Sequence, residues 1–135
     1  MKNYFRFLLL FIFLVLIDQV FKFSFSAISI CNKNIAWSIS VAPGVFYFIW
    51  LIIFFLLIYN FLKSQSYFEK IASALILSGA ASNIIDRVWR GCVIDFIDLK
   101  VWPVFNLADI YITIGILFLF LNILRNYKSK ILNTK

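Results

Sequence analysis

The side chains in this sequence that are best suited to chemistry are aspartates. Asp95 and Asp109 lie on either side of one short connection, which can fold back and bring the two carboxyl groups together. Two carboxyl groups in a semi-dry site cannot both ionise easily, so one keeps its proton and the pair shares it. Such a pair can hydrolyse a peptide bond, because the ionised carboxylate draws a proton from water and the protonated one donates to the scissile carbonyl oxygen. The chain contains no histidine, which excludes His-based triads and HExxH zinc sites.

Amide and guanidinium groups accompany these aspartates at helical spacing. Asn106 and Asp109 are spaced i,i+3, and Asn83 and Arg87 are spaced i,i+4, so each pair shares one face of a helix. Ionisable groups at or inside a membrane are expensive, and they usually mark function. We therefore expect these side chains to converge with Asp95 in one site.

Other interpretations of the same residues stay open at this point. Composition and spacing do not choose between Asp95 and Asp98 as the partner of Asp109. A proton or ion pathway with Asp109 as its carrier is a second interpretation, although transport sites are expected nearer the middle of the bilayer and a four-span channel would need several copies. Surface ion pairs are a third, namely Asp95 or Asp98 with Arg90 or Lys100, and Asp86 with Arg87.

Composition places these residues in a membrane protein. Hydrophobic residues make up 64% of the chain and charged residues 14%, against about 45–50% and about 25% in soluble domains. In lipid a helix can be apolar on all sides, because its backbone groups are satisfied internally. The net charge of +7 does not indicate nucleic-acid binding, because the basic residues flank apolar runs instead of forming one patch.

Four apolar stretches each approach the ~20 residues that a bilayer span requires. They predict an all-α membrane protein with a single integral membrane domain, residues 1–135, whose spans are about 4–25, 41–62, 71–87 and 104–124. The first stretch could pass for a cleaved signal peptide, but Asp18 and Lys22 continue its helix and can pair on one face. The third stretch is rich in Gly, Ala and Ser, which lets helices approach closely, so we expect it to be the most buried.

The two longer connections, residues 23–42 and 86–103, are expected to supply a small extracytoplasmic β element. The segment Val93–Leu99 is rich in β-forming residues and predicts a short strand. The connections also carry the two cysteines, Cys31 and Cys92. A disulfide is conceivable outside the cytoplasm, but the sequence does not bring the two Cα atoms together, so the prediction is two unrelated thiols. Without a histidine to activate it, Cys92 is a poor candidate for a nucleophile.

The distribution of Lys and Arg predicts the orientation in the membrane. The N-terminus, the 63–70 loop and the C-terminus together carry eight basic residues and one acid, whereas the other side carries five of each. The first side is therefore predicted to be cytoplasmic, with both termini inside. Trp37, Trp89 and Trp102 fall near the outer ends of spans, where indole rings favour the headgroup boundary, and we interpret them as anchors.

Five short motifs follow one another along nearly the whole chain. They are DQxxK ending at Lys22 and the segments 32–38 (NKNIAWS), 79–87 (GAASNIIDR), 91–98 (GCVIDFID) and 102–109 (WPVFNLAD). With these motifs the chain resembles the bacterial lipoprotein signal peptidase family, signal peptidase II. Each motif alone is weak, but five in this order on four spans are highly specific.

The resemblance implies roles for individual residues. Asp95 and Asp109 would be the catalytic pair, and Asp95 is favoured over Asp98. Further residues would line the site or hold substrate, namely Asn83, Arg87 and Asn106, and others would be supporting positions, namely Asp18, Lys22, Asn32 and Gly79. The resemblance also implies four transmembrane helices with a small outer β-sheet, no metal and no cofactor.

The same resemblance implies a reaction and its partners. Family members are membrane aspartyl endopeptidases that remove the signal peptide from diacylglyceryl-modified prolipoproteins, cleaving just before the lipidated cysteine. They act in the bacterial cytoplasmic (inner) membrane and are blocked by the cyclic peptide globomycin, and a monomer is expected. The chain departs from the pattern at Asn34, Ser78 and Ser82, where the family usually has glycine, and at Ile35, which is larger than usual. These departures concern the substrate rim and not the aspartates.

Overall fold

Four long helices and a two-stranded sheet make up the computed structural model, which describes residues 2–34, 42–64 and 66–133. The helices are α1 (Lys2–Ser24), α2 (Pro43–Lys63), α3 (Tyr67–Arg90) and α4 (Leu107–Asn133), and the strands are β1 (Ile30–Asn32) and β2 (Val93–Asp95). A short 3₁₀ turn, Ser26–Ile28, joins α1 to β1. All four helices are long and apolar enough to cross a bilayer. The predicted class, an all-α membrane protein with a small β element, is confirmed.

Local sequence signals explain where the helices begin and end. Pro43 occupies the first turn of α2, where its missing N–H would have had no intrahelical partner. Ser66 caps α3, because its side chain accepts a hydrogen bond from the Glu69 backbone N–H. Gly91 ends α3 in the left-handed region at φ 73°, a conformation that glycine adopts without steric strain.

Burial differs sharply among the four helices. Half of the residues in the most apolar window of α3 are buried, whereas none is buried in that of α2. The prediction that the third span is the most buried is therefore confirmed. Many large apolar side chains of α1, α2 and α4 are exposed, for example Phe13, Phe55 and Phe120, as expected for surfaces that face lipid.

Small residues allow α3 and α4 to pack closely. A Cβ atom at Gly79 would collide with the Ala108 carbonyl oxygen and would lie 2.8 Å from the Ile112 side chain. A Cβ atom at Gly115 would lie 2.8 Å from the Ala72 carbonyl oxygen, so the two helices approach at two levels. Such contacts drive helix association in lipid, where no hydrophobic effect is available.

Gly79→Ala should therefore destabilise the protein by about 1–3 kcal/mol, because backbone must shift to admit the methyl group. The measurement is unfolding in detergent, by heat or by titration with a denaturing detergent. Gly44→Ala is the matched control, since nothing lies within 4 Å of a Cβ atom there and alanine favours helix over glycine. Equal loss of stability in the two variants would contradict the packing argument.

The two strands form an antiparallel pair in which Ile30 lies opposite Asp95 and Asn32 lies opposite Val93. The predicted strand at Val93–Leu99 is shorter than expected, because β2 ends at Asp95 and the chain then forms an isolated bridge between Ile97 and Phe105. This bridge closes the connection into a loop. It carries the chain back so that Asp95 comes close to the start of α4.

Cys31 and Cys92 form a disulfide, and the prediction of two unrelated thiols is wrong. The antiparallel register is the physical reason, since Cys31 pairs with Ile94 and the chain just before Val93 then reaches it. The two Cα atoms are 5.4 Å apart, within the usual range for a disulfide. The bond also removes Cys92 from consideration as a nucleophile.

Candidate active site

Asp95 and Asp109 meet at the end of the bundle that carries the sheet, and Asn106 lies between them. Asp95 is the last residue of β2, and Asp109 lies in the first turn of α4. The Asn106 side chain is fully buried. Its Nδ2 donates to Asp95 Oδ1 at 2.7 Å, and its Oδ1 accepts from the Asp109 backbone N–H at 3.0 Å. One amide therefore holds both aspartates.

Asp109 is fixed by the local structure of the helix start. The Asn106 backbone N–H donates to Asp109 Oδ2 at 3.1 Å while Asp109 N–H donates back to the Asn106 side chain, a reciprocal cap of the helix terminus. The other carboxylate oxygen, Oδ1, accepts from Asn83 Nδ2 at 2.9 Å across the interface with α3. Both oxygens of Asp109 thus have defined donors.

Asp95 has a matching arrangement, with Asn32 as its second donor. Asn32 Nδ2 donates to Asp95 Oδ2 at 2.9 Å across the two strands, and Asp95 is only 3% exposed. Burial raises the pKa of Asp95 to about 6, assisted by the nearby charge of Asp109 and opposed by the hydrogen bonds from Asn32 and Asn106 and the charge of Lys22. A carboxyl with this pKa can bind or release a proton near neutral pH.

Asp98 has a different environment from Asp95. It is exposed, and its carboxylate accepts from Lys100 Nζ at 2.6 Å and from the Lys100 backbone N–H at 2.8 Å. Hydrogen bonds from Lys100 lower the pKa of Asp98 below its usual value. Of the two aspartates that the sequence leaves as alternatives, Asp95 is therefore the one linked to Asp109 through Asn106, and Asp98 forms a surface ion pair.

The raised pKa of Asp95 predicts that Asp95→Asn changes stability in a pH-dependent way. The folded-state pKa of about 6 lies above the usual 3.8, so the stability that Asp95 contributes is fully present below 3.8 and lost as the pH rises through 6. Asparagine cannot ionise. We expect the melting temperature of Asp95→Asn to match that of wild type near about pH 4 and to exceed it near about pH 8. Thermal unfolding in detergent measures the difference, and a difference that does not vary with pH would contradict this account.

A buried network of charges lies beneath the two aspartates, and Lys22 is its centre. Lys22 Nζ lies 2.7 Å from Asp18 Oδ2 and 2.8 Å from Asp86 Oδ2, and all three side chains are completely buried. The third Nζ proton goes to Asn83 Oδ1 at 2.8 Å. The Asn83 amide must then present its NH₂ group to Asp109. Lys22 thereby fixes the orientation of a side chain that contacts the aspartate pair.

Asp86 and Arg87 do not form the ion pair that the sequence left open. Asp86 instead pairs with Lys22 and with Arg90, and its Oδ2 also accepts from the Ile94 backbone N–H at 3.2 Å. Arg87 points to the other side of α3, where it donates to the Asn34 carbonyl oxygen at 2.8 Å. Adjacent residues on a helix point in different directions, so Asp86 and Arg87 contact different partners.

Sequence reasoning missed several members of this network. Asp18 accepts hydrogen bonds from the Ser82 hydroxyl at 2.6 Å and, on its other oxygen, from the Ala108 backbone N–H at 2.9 Å. The Gln19 side chain donates to the Ser82 hydroxyl at 2.9 Å and to Asp86 at 3.0 Å. Asp18 therefore ties α1 to the first turn of α4. The available signal was the presence of polar side chains inside apolar spans, since each must find a partner there.

A cavity of about 850 Å³ opens beside the two aspartates. Its lining includes polar side chains, among them Asn32, Asn83, Arg87, Asp95 and Asp109, and apolar side chains, among them Phe46, Trp50, Ala80, Ile84 and Ile112. The guanidinium of Arg87 lies 4.7 Å from the centre of the Phe46 ring. The indole N–H of Trp50 is buried and has no hydrogen-bond partner in the part of the chain that the structure describes. The cavity suits a ligand with polar and apolar parts.

Ile35 and Trp37, which the sequence analysis singled out, lie outside the described residues. Trp89 and Trp102 are exposed. Within residues 2–34, 42–64 and 66–133, no group of three or more His, Cys, Asp or Glu side chains could hold a metal ion. That the protein needs no metal or cofactor stays a prediction.

Four apolar helices that carry a pair of aspartates at one end define a multi-pass membrane protein with a carboxylate-pair site. The family model for Signal peptidase (SPase) II matches residues 10–125. The chain belongs to the signal peptidase II family, whose members are proteases.

Individual relatives agree with this family. The chain is 35% identical over 147 aligned positions to the lipoprotein signal peptidase of Staphylococcus aureus strain MRSA252, covering 91% of this chain and 90% of the relative. It is 38% identical over 106 positions to that of Staphylococcus haemolyticus, covering 73% and 67%. Two solved bacterial membrane enzymes, both determined by the in meso method, superpose with TM-scores of 0.85 and 0.76 at 31% identity. They cover 93% and 88% of this chain and 91% and 92% of their own.

Proposed function

We propose that this protein is a membrane aspartyl endopeptidase that removes the signal peptide from diacylglyceryl-modified prolipoproteins. The scissile bond is the one on the N-terminal side of the lipidated cysteine. The observation that carries the proposal is that Asn106 hydrogen-bonds to both Asp95 and Asp109, at the edge of a cavity lined by polar and apolar side chains. The names of the relatives, lipoprotein signal peptidases, support the choice of substrate.

The reaction uses Asp95 and Asp109 as a pair that holds one proton. The ionised carboxylate takes a proton from a water molecule as that water attacks the scissile carbonyl carbon, and the protonated carboxyl donates to the carbonyl oxygen. Collapse of the tetrahedral species breaks the C–N bond, and the leaving amine of the lipidated cysteine takes up a proton from the pair. The raised pKa of Asp95, about 6, supports sharing of a proton near neutral pH.

Three amides hold the carboxylate oxygens in place before substrate arrives. Asn32 and Asn106 donate to Asp95, and Asn83 donates to Asp109. A site whose groups are already oriented avoids reorganisation during the reaction, which is a large part of catalysis in many enzymes. In this proposal Asp18, Lys22 and Gly79 support these groups from beneath.

The mixed lining of the cavity matches the polar and apolar parts of a lipidated substrate. The apolar lining residues would receive the acyl chains. Arg87 would hold the rim at Asn34 against α3, where the peptide approaches the aspartates. Globomycin-type inhibitors would occupy the same cavity.

The proposed setting is the bacterial cytoplasmic (inner) membrane, with both termini in the cytoplasm and the active site at the outer face. The excess of Lys and Arg at the opposite end of the bundle supports this orientation. A lipidated cysteine lies at the membrane surface, which is the depth of the aspartates in this arrangement. The complete pair lies in one chain, which supports a monomer as the active form.

The test is cleavage of a diacylglyceryl-modified prolipoprotein by the purified protein in detergent. The same prolipoprotein without the lipid is the matched control. We expect cleavage before the cysteine of the lipidated form alone, with both products identified by mass. Folded protein that leaves the lipidated form intact would overturn the proposal, and the ion-pathway interpretation would then be tested by proton flux into liposomes.

A further inference from the structure

The disulfide between Cys31 and Cys92 lies directly beside the aspartate pair. Cys31 precedes Asn32 in the chain, and Cys92 precedes β2, which ends at Asp95. Asn32 Nδ2 donates to Asp95 Oδ2 at 2.9 Å, and Asn32 Oδ1 accepts from the Asn34 backbone N–H at 3.0 Å. The second bond sets the orientation of the amide, so that its NH₂ group faces Asp95.

The sheet that creates this contact is too small to be stable by itself. Each strand has three residues, and a two-stranded ribbon is marginally stable at best in water. The disulfide joins positions 61 residues apart in the sequence. It therefore holds β1 against β2 independently of the few hydrogen bonds between the strands.

The register of the strands decides whether Asn32 reaches Asp95. In the observed pairing Cys31 lies opposite Ile94, and Asn32 lies opposite Val93. A shift of one residue would turn every side chain of β1 to the other face, and the Asn32 amide would leave Asp95. A covalent bond at Cys31 forbids that shift.

We propose that the Cys31–Cys92 disulfide is a positioning element of the active site. It fixes the strand register that places the Asn32 amide on Asp95, so the full catalytic rate requires the oxidised protein. The proposal rests on the peptidase function proposed above. The disulfide does not contact substrate and acts through Asn32. Cys31 is exposed, so a soluble dithiol can attack the bond: the S–S bond breaks, two thiols form, and the dithiol becomes a disulfide.

The electrostatics of Asp95 give this proposal a distinctive readout. The hydrogen bond from Asn32 lowers the pKa of Asp95, against burial and the charge of Asp109 on α4, which raise it. Lys22 on α1 and the amide of Asn106 also lower it. Loss of the Asn32 bond should move the limb of the pH–rate profile that reports Asp95 to higher pH.

The experiment compares cleavage of the lipidated substrate by oxidised wild type, by wild type reduced in its folded state with dithiothreitol, and by the double variant Cys31→Ser/Cys92→Ser. We expect reduction and the double variant to lower kcat on the order of 10- to 100-fold with a much smaller change in KM, and to move the pH profile upward. Reoxidation should restore wild-type kcat. Dithiothreitol is also added to the double variant, which has no disulfide to reduce, as a control for effects of the reagent other than reduction of this bond.

Asn32→Ala provides the decisive comparison, made in the oxidised wild-type background and in the double-serine background. If the disulfide acts through Asn32, Asn32→Ala lowers kcat in the first background and adds little in the second. Equal effects in both backgrounds, or unchanged kcat and pH profile after reduction of an active wild type, would overturn this proposal alone. Oxidised wild type that cleaves nothing would overturn the peptidase function, and this proposal with it. Reduction of the folded protein keeps the test valid if the double variant does not fold.

Discussion

We expect Asp95→Asn and Asp109→Asn each to lower kcat for cleavage of the lipidated prolipoprotein by roughly 10³- to 10⁴-fold, because a member of the proposed acid–base pair could no longer exchange its proton. The two losses should not add in the double variant, because either substitution alone disables the shared proton. The fold should survive, since asparagine has nearly the same shape as aspartate. The measurement is product formation under single turnover, with far-UV circular dichroism as the check on folding.

Asp98→Asn is the matched control, because Asp98 lies three residues from Asp95, is exposed, and pairs with Lys100 on the surface. We expect it to retain wild-type kcat. An inactive Asp98→Asn together with an active Asp95→Asn would show that the wrong aspartate was paired with Asp109, while the peptidase function would stand. Residual activity near the wild-type level in Asp109→Asn would reject the two-aspartate mechanism itself.

Lys22→Met should destabilise the protein by about 3–5 kcal/mol, more than Gly79→Ala, because it leaves the buried carboxylate of Asp18 without its cation. Asp18 would keep only neutral donors, Ser82 and the Ala108 N–H, and Asp86 would keep Arg90. Methionine has similar length and fills the same space, so the loss reports charge and not volume. Unfolding by denaturing detergent, compared with wild type, gives the difference in free energy.

Lys100→Met controls for the removal of a lysine from an ion pair. The Lys100 side chain is 84% exposed, and surface ion pairs contribute about 0–1 kcal/mol. It should therefore unfold like wild type. If Lys22→Met were as stable as Lys100→Met, the buried network would not support the fold, and the orientation of Asn83 would need another cause.

The elements of the fold that were predictable from the sequence are those set by local spacing. The lengths of the apolar stretches indicated four helices, and the i,i+4 spacing of Asp18 and Lys22 indicated their ion pair. The i,i+3 spacing of Asn106 and Asp109 indicated a shared face, and the structure adds the reciprocal cap. Each of these depends on the geometry of one helix.

Contacts between elements were not predictable in the same way. Asp95 and Asp98 differ by an odd number of residues, so an extended strand turns them to opposite faces, but the sequence does not say which face is buried. The answer depends on the pairing of β2 with β1 and on the bridge between Ile97 and Phe105. The disulfide and the partners of Asp86 depend on the same tertiary arrangement. The motifs favoured Asp95 through a family likeness and not through geometry.

The close contact of Gly79 with Ala108 has a consequence for how the enzyme responds to its membrane. Ala108 meets α3 through its carbonyl oxygen and α1 through its N–H, one residue before Asp109. The three helices that determine the position of Asp109 are therefore joined at a single level. The most apolar window of α2 has no buried residues. This helix can therefore tilt most easily when the bilayer is thicker or thinner than the hydrophobic length of the protein. Changes in lipid thickness would then tilt α2, which contributes Phe46 and Trp50 to the lining of the cavity, and leave the carboxylates where they are.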